Sequence, residues 1–240
     1  MGRVTFPRMA ARLAAIATVF LSTAAVLIMV PAPSATAATC PDVDVVFGRG
    51  TGEPVGIGRV GQALVDTLQS QIPGKTVTSY AVNYPASYDF LTAQDGAVDA
   101  SQHIRTMVQQ CPNTRIVLGG YSQGAAVVDM LIGLPPLGNK LNALGDKFGS
   151  VGTAAPLAGD LAGNVAAIAV FGNPATKFSN PATSAAAPYG ARAIDLCKDG
   201  DPICSRGRNP FAHDGYETSP FIPQAAEFVA GLVSPASPAS

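Results

Sequence analysis

"GGYSQGAAVV", residues 119–128, sets a single serine, Ser122, among small residues, with the apolar run RIVLGGY (115–121) before it and a second apolar stretch after it. Gly120 and Gly124 stand two residues to either side of Ser122. That is the spacing of a nucleophile elbow, where a tight strand-to-helix turn leaves no room for side chains at those two positions. A bare Gly-x-Ser-x-Gly match is common, and a plain strand–helix junction would produce it too. The β-rich run ahead and the helix-spaced run behind supply the context that the motif requires.

Working outward, further short runs rich in β-formers occur at 43–48 (VDVVFG), 76–84 (TVTSYAVNY), 165–172 (VAAIAVFG) and 191–197 (ARAIDLC). Between them, residues 58–72, 93–110 and 123–133 carry apolar positions at helical spacing, and 223–233 closes the chain in the same way. This alternation predicts an α/β fold, with a parallel sheet covered by helices on both faces. Ligands of such sheets gather at the carboxyl ends of the strands. Residues 134–163 and 173–190, rich in Gly, Pro, Ala, Ser and Asn, read as surface connections.

Composition narrows the function classes. Fifteen basic residues stand against sixteen acidic ones, so no broad field draws the chain to nucleic acid or an anionic surface. Hydrophobic residues make up 48% and charged residues 13%, which suits a packed core. Residues 1–12 carry Arg3, Arg8 and Arg12 without an acid, 13–30 are almost wholly apolar, and Ala35-Thr36-Ala37 offers a cleavage site. Residues 1–37 therefore read as a secretory signal, with an uncleaved anchor as the rival, followed by one domain over 38–233 and a Ser/Pro/Ala tail at 234–240.

All four cysteines, Cys40, Cys111, Cys197 and Cys204, lie beyond that site, and an even number in an exported chain points to disulfides rather than a metal centre. Three pairings are formally possible. The short Cys197–Cys204 separation favours a local link, which leaves Cys40 for Cys111.

A serine hydroxyl needs an imidazole to take its proton and a carboxylate to orient that imidazole. The chain has two histidines. His103 falls inside a helical segment ahead of the serine and reads as a surface or packing residue. His213, in NPFAHDGY after the last strand, fits the chain order Ser, Asp, His of α/β hydrolases. Four acids lie near it: Asp195, Asp199, Asp201 and Asp214. Asp195 sits within a strand and Asp214 directly beside His213; spacing does not choose between Asp199 and Asp201.

Taken together, VVFGRGTGE (45–53), GYSQG (120–124), CKDGDPIC (197–204) and His213, in this order, resemble the cutinase family, and in particular its mycobacterial cutinase-like members. The resemblance implies a three-layer α/β/α sandwich with a central five-stranded parallel sheet and no large lid. It further implies Asp201 as the acid, disulfides Cys40–Cys111 and Cys197–Cys204, and an oxyanion hole from Gln123, the residue after the nucleophile, and Thr51, in the loop after the first strand. No cofactor and no metal are expected. Gly56-Ile57-Gly58-Arg59-Val60-Gly61 matches a dinucleotide spacing, but it begins eight residues past the strand end rather than on the strand–helix turn.

The expected activity is a secreted carboxylic ester hydrolase working through an acyl-enzyme on Ser122. Its substrate would be a small-molecule or lipid ester, met transiently on lipid or cell-wall surfaces by a monomer. The loop SRGRNPFA (205–212) is more polar than in plant-polymer cutinases. Arg206 and Arg208 read as solvated charges; were they to rim the crevice, short or charged esters would gain over long acyl chains. Acetyl xylan esterase on the same scaffold, and a binding protein without turnover, are the alternatives.

Overall fold

VDVVFG becomes strand β1 (Val43–Gly48), buried along its whole length, in a computed structural model that describes Gly2, residues 39–137 and residues 152–234. The leader expected at 1–37 and the tail beyond Ser234 lie outside the described residues. In order, helix α1 (Gly58–Gln71), β2 (Val77–Ala81), α2 (Ala93–Gln110), β3 (Arg115–Tyr121), α3 (Gln123–Leu131), β4 (Val165–Phe171), β5 (Ala193–Leu196) and α4 (Phe221–Val233) follow. The five strands form one sheet in the order β2-β1-β3-β4-β5, and every pairing is parallel.

Side chains alternate across β1 and so feed two cores. Val45 and Phe47 pack with Leu64 and Leu68 of α1 and Val229 of α4, while Val46 packs on the opposite face with Ala97 and Ile104 of α2 and Val127 of α3. The buried positions of α1, Val60, Leu64 and Leu68, recur every four residues, which is why that helix lies flat on the sheet. On α2 the inward positions are mostly small, Ala93, Gly96, Ala97 and Ala100. A Cβ on Gly96 would come within 3.0 Å of Val127 and 3.1 Å of Tyr84, so small residues set how closely α2 approaches α3.

Strand order determines where a site can form. From β1 the chain steps to β2 on one side, then crosses to β3 on the other, so the loops leaving β1 and β3 diverge and open a crevice between them. Thr51 follows β1 and Ser122 follows β3. Two disulfides staple the frame. Cys40–Cys111 ties the segment before β1 to the end of α2, and Cys197–Cys204 closes the loop after β5, with Cα separations of 5.5 and 5.8 Å.

The connection at 173–190 is more ordered than its composition suggests. Asn173 is fully buried, and its Nδ2 donates both to Asp129 Oδ1 of α3 at 3.2 Å and to Asp195 Oδ2 of β5 at 2.9 Å. Thr176 and the Ala182 N–H also donate to Asp195. A surface loop has no need of such a network; here it fastens the segment to the edge of the sheet.

Candidate active site

Ser122 occupies the turn between β3 and α3 with φ 54° and ψ −114°, a conformation that side-chain-bearing residues rarely adopt and that costs about 1–3 kcal/mol. Its N–H donates to the Phe171 carbonyl at 2.9 Å, which anchors the turn to β4. The flanking glycines are sterically required. A Cβ on Gly120 would lie 2.3 Å from the Gly124 carbonyl oxygen, and one on Gly124 would lie 1.9 Å from the oxygen of Gly48.

His213 Nε2 lies 2.8 Å from Ser122 Oγ, and its Nδ1 lies 2.8 Å from Asp201 Oδ2. The imidazole follows a 3-10 turn, Pro210–Ala212, whose Asn209 cap accepts from the Phe211 N–H at 3.1 Å. The ring stacks on Tyr121, and the Tyr121 hydroxyl donates to the His213 carbonyl at 2.5 Å. At the end of β4, Gly172 has φ 57°, and a Cβ there would come within 2.9 Å of His213 Cε1. That position therefore lets the imidazole reach the serine.

Asp201 is wholly buried and Asp199 is exposed, although they stand in one disulfide-closed loop. Burial works against the Asp201 carboxylate. Hydrogen bonds from His213, from the Tyr216 hydroxyl at 2.7 Å and from the Ile203 N–H at 2.7 Å outweigh it and hold the group below the usual carboxylate range. The other candidates go elsewhere. Asp195 binds Asn173, Thr176 and the Ala182 N–H; Asp214 is exposed at the crevice. His103 stacks on Tyr80 and places Nε2 2.7 Å from the buried Asp44 Oδ2, which pins α2 to the sheet.

Across the crevice, the Thr51 hydroxyl donates to Gln123 Oε1 at 3.2 Å. The Gln123 N–H opens α3, where the first backbone donors of a helix have no intrahelical acceptor. Sequence reasoning missed what holds the Thr51 loop. Arg49 is buried and donates to the carbonyls of Glu53, Tyr84 and Pro85 at 3.1, 2.7 and 3.2 Å, while the Tyr84 hydroxyl returns a bond to the Arg49 carbonyl. The Glu53 carboxylate accepts from the N–H groups of Gly50 and Arg59 at 2.7 and 3.0 Å. It thus occupies the start of α1, where a nucleotide phosphate would have to sit. An arginine between a buried strand and a Gly-rich loop was the available signal.

The crevice measures about 660 Å3 and is lined by Thr51, Tyr88, Phe90, Ser122, Leu137, Pro174, Ile203 and His213, with Glu53, Arg59 and Asp214 among its polar members. Arg206 and Arg208 are exposed and are not part of this lining. The exposed part of the lining carries apolar surface instead, with Tyr88 81% and Phe90 44% exposed.

A serine at positive φ between a central parallel strand and its helix, with strand order β2-β1-β3-β4-β5, defines a small α/β-hydrolase. Residues 39–233 match the model of the family described as Cutinase, and the chain belongs to that family. It is 47% identical over 212 residues to "Phospholipase Culp4" of Mycobacterium tuberculosis, covering 88% of this chain and 87% of the relative. To "Probable carboxylesterase Culp3" of the same organism it is 48% identical, covering 82% and 71%. Among solved structures, an acetyl xylan esterase aligns with TM-score 0.66 and 26% identity over 82% of this chain and all of that one. A Trichoderma reesei cutinase bound to a phosphonate inhibitor aligns with TM-score 0.60 and 32% identity, over 81% and 78%. The protein is a carboxylic ester hydrolase.

Proposed function

We propose that the protein is an exported serine esterase that cleaves esters of short to medium acyl chains through an acyl-enzyme on Ser122. The observation that carries this reading is the unbroken relay from Ser122 Oγ through both ring nitrogens of His213 to Asp201, with a contact of 2.8 Å on each side of the imidazole. In the first half-reaction His213 Nε2 takes the Ser122 proton as Oγ attacks the ester carbonyl carbon. The resulting oxyanion is met by the Thr51 and Gln123 N–H groups. The tetrahedral intermediate then expels the alcohol, which leaves with the proton from His213. In the second half-reaction water gives a proton to His213 and attacks the acyl carbon, the carboxylic acid departs, and Ser122 regains its proton.

Tyr88, Phe90, Leu137, Pro174 and Ile203 offer apolar contact for the acyl chain. Among the described residues, these five side chains suit an acyl group of about four to eight carbons. With Arg206 and Arg208 outside the lining, this preference rests on the extent of the apolar wall rather than on charge. The exposed lining residues Tyr88 and Phe90 fit transient contact with an aggregated or wall-bound ester. Export rests on the basic, apolar and small-residue order of residues 1–37, and the mass of protein recovered from the culture medium tests it.

The deciding experiment is a panel of p-nitrophenyl acetate, butyrate, octanoate and palmitate beside fluorophosphonate labelling of the wild type and Ser122→Ala. Butyrate or octanoate should turn over fastest, and only the wild type should be labelled. Fastest turnover of acetate would favour a deacetylase, of palmitate a long-chain lipase. A folded wild type that takes up no label would leave only a binding scaffold.

A further inference from the structure

Tyr216 takes no part in that cycle, yet it is bound into the relay. Its side chain is fully buried, three residues beyond His213. Its hydroxyl donates at 2.7 Å to Oδ2 of Asp201, the same oxygen that lies 2.8 Å from His213 Nδ1. The direction of that hydroxyl proton is settled by a third bond, because the Tyr216 oxygen accepts from the Lys198 N–H at 2.9 Å. Phe171 and His213 contact the ring edge-on, and Tyr121 and Phe221 pack against it at a tilt, so the phenol has little freedom to turn away. Burial pushes the phenol up from its ordinary value, and it stays a donor across the working pH range.

A carboxylate that faces an imidazole alone puts its whole charge behind the imidazolium, which then forms at higher pH and removes the free base. Sharing Oδ2 with a second donor weakens that pull. We propose that Tyr216 is a positioning residue which, by dividing Asp201 Oδ2 with His213, limits how strongly the carboxylate draws a proton onto the imidazole and so extends activity toward acidic pH. This inference rests on the serine esterase reading.

Other charges near His213 remain in place when the phenol oxygen is removed. Asp214, Glu53 and Arg59 line the crevice, and Tyr121 stacks on the imidazole. The Lys198 ammonium sits over the Tyr216 ring, 5.4 Å from its centroid, and donates to the Asp214 carbonyl. Salt screens the exposed members of this group but barely touches a buried hydrogen bond.

The test compares the wild type, Tyr216→Phe, and a protein with 3-fluorotyrosine in place of Tyr216, whose more acidic phenol is a stronger donor. For each, kcat/KM for p-nitrophenyl butyrate is measured from pH 4.5 to 9 at low and at 0.5 M salt. The His213 imidazole is also titrated by NMR, which needs no turnover. In Tyr216→Phe the acid limb and the imidazole midpoint should both rise by about 0.5–1 pH unit, at either salt concentration, with less than a tenfold fall in the plateau. The fluorinated protein should move both the other way. A lowered plateau with an unmoved acid limb, or shifts of the same sign in both variants, would overturn the proposal. If Tyr216→Phe does not fold, the fluorinated protein alone still decides the sign. A wild type that does not turn over or label would sink the esterase reading, while the imidazole titration would still test the role of Tyr216.

Discussion

A Cβ on Gly124 would lie 1.9 Å from the carbonyl oxygen of Gly48, so the first turn of α3 rests directly on the backbone end of β1. This contact brings the Thr51 loop beside Ser122. Because the obstacle is main chain, no rotamer change relieves it. Gly124→Ala should cost roughly 2–4 kcal/mol, lower Tm by about 5–12 °C and reduce kcat/KM at least about 100-fold. Gly163→Ala, with nothing within 4 Å of the added methyl, is the control. Thermal melts and butyrate kinetics that leave the two variants alike would refute the steric argument.

Thr51→Val keeps the side-chain volume and the backbone N–H while deleting the hydroxyl that now bonds Gln123 at 3.2 Å. If that hydroxyl turns to the oxyanion during acyl transfer, kcat should fall about 10–100-fold with KM nearly constant. An unchanged kcat would assign the oxyanion to the backbone donors alone.

Asp201→Asn should lower kcat by about 10^4-fold, because an amide faces two donors and no longer selects the productive imidazole tautomer. The stability consequence has a definite sign. The carboxyl is held below its usual 3.8, so its contribution is present above that value and is lost as pH falls through the depressed one. Acid unfolding of the wild type below about pH 4 should therefore be steeper than that of Asp201→Asn. By contrast, the rise of kcat/KM with pH belongs to an imidazole that must be neutral to accept the serine's proton.

Asp129 presents the opposite case. Burial and the neighbouring Asp195 push its carboxyl well up, against the Asn173 hydrogen bond, and its Oδ2 is buried without a hydrogen-bond partner among the described residues. A raised folded-state value means that the native protein holds a proton that the unfolded chain has released. Stability therefore falls as pH rises from about 4 toward that value. Asp129→Asn mimics the protonated acid and should match the wild type near pH 4 while melting higher at pH 8. Equal melting temperatures of the two proteins at pH 8 as well as near pH 4 would contradict the assignment.

Much of the frame was legible because periodicity reports which face an element buries. The alternation of β-rich and helix-spaced runs sufficed for a parallel sheet with helices on both sides, and GYSQG sufficed for the elbow, since glycine spacing records a steric limit within one turn. Some boundaries moved. The run 76–84 forms a strand only over Val77–Ala81, and 173–190 is tied to the core through Asn173 and Asp195. Arg206 and Arg208 are exposed and stand outside the crevice lining, as solvated charges would.

By itself, the sequence determined the α/β class, the serine and its glycines, and a short set of possible acids from which the family resemblance pointed to Asp201. Tertiary structure alone decided that Asp201 is buried against His213 and Asp199 faces solvent, that His103 serves Asp44, and that Tyr216 shares the carboxylate. The reason is physical: a local pattern encodes the direction in which a regular element faces, whereas irregular loops have no period. Which of their side chains meet is settled only when distant segments pack and their polar groups must find partners.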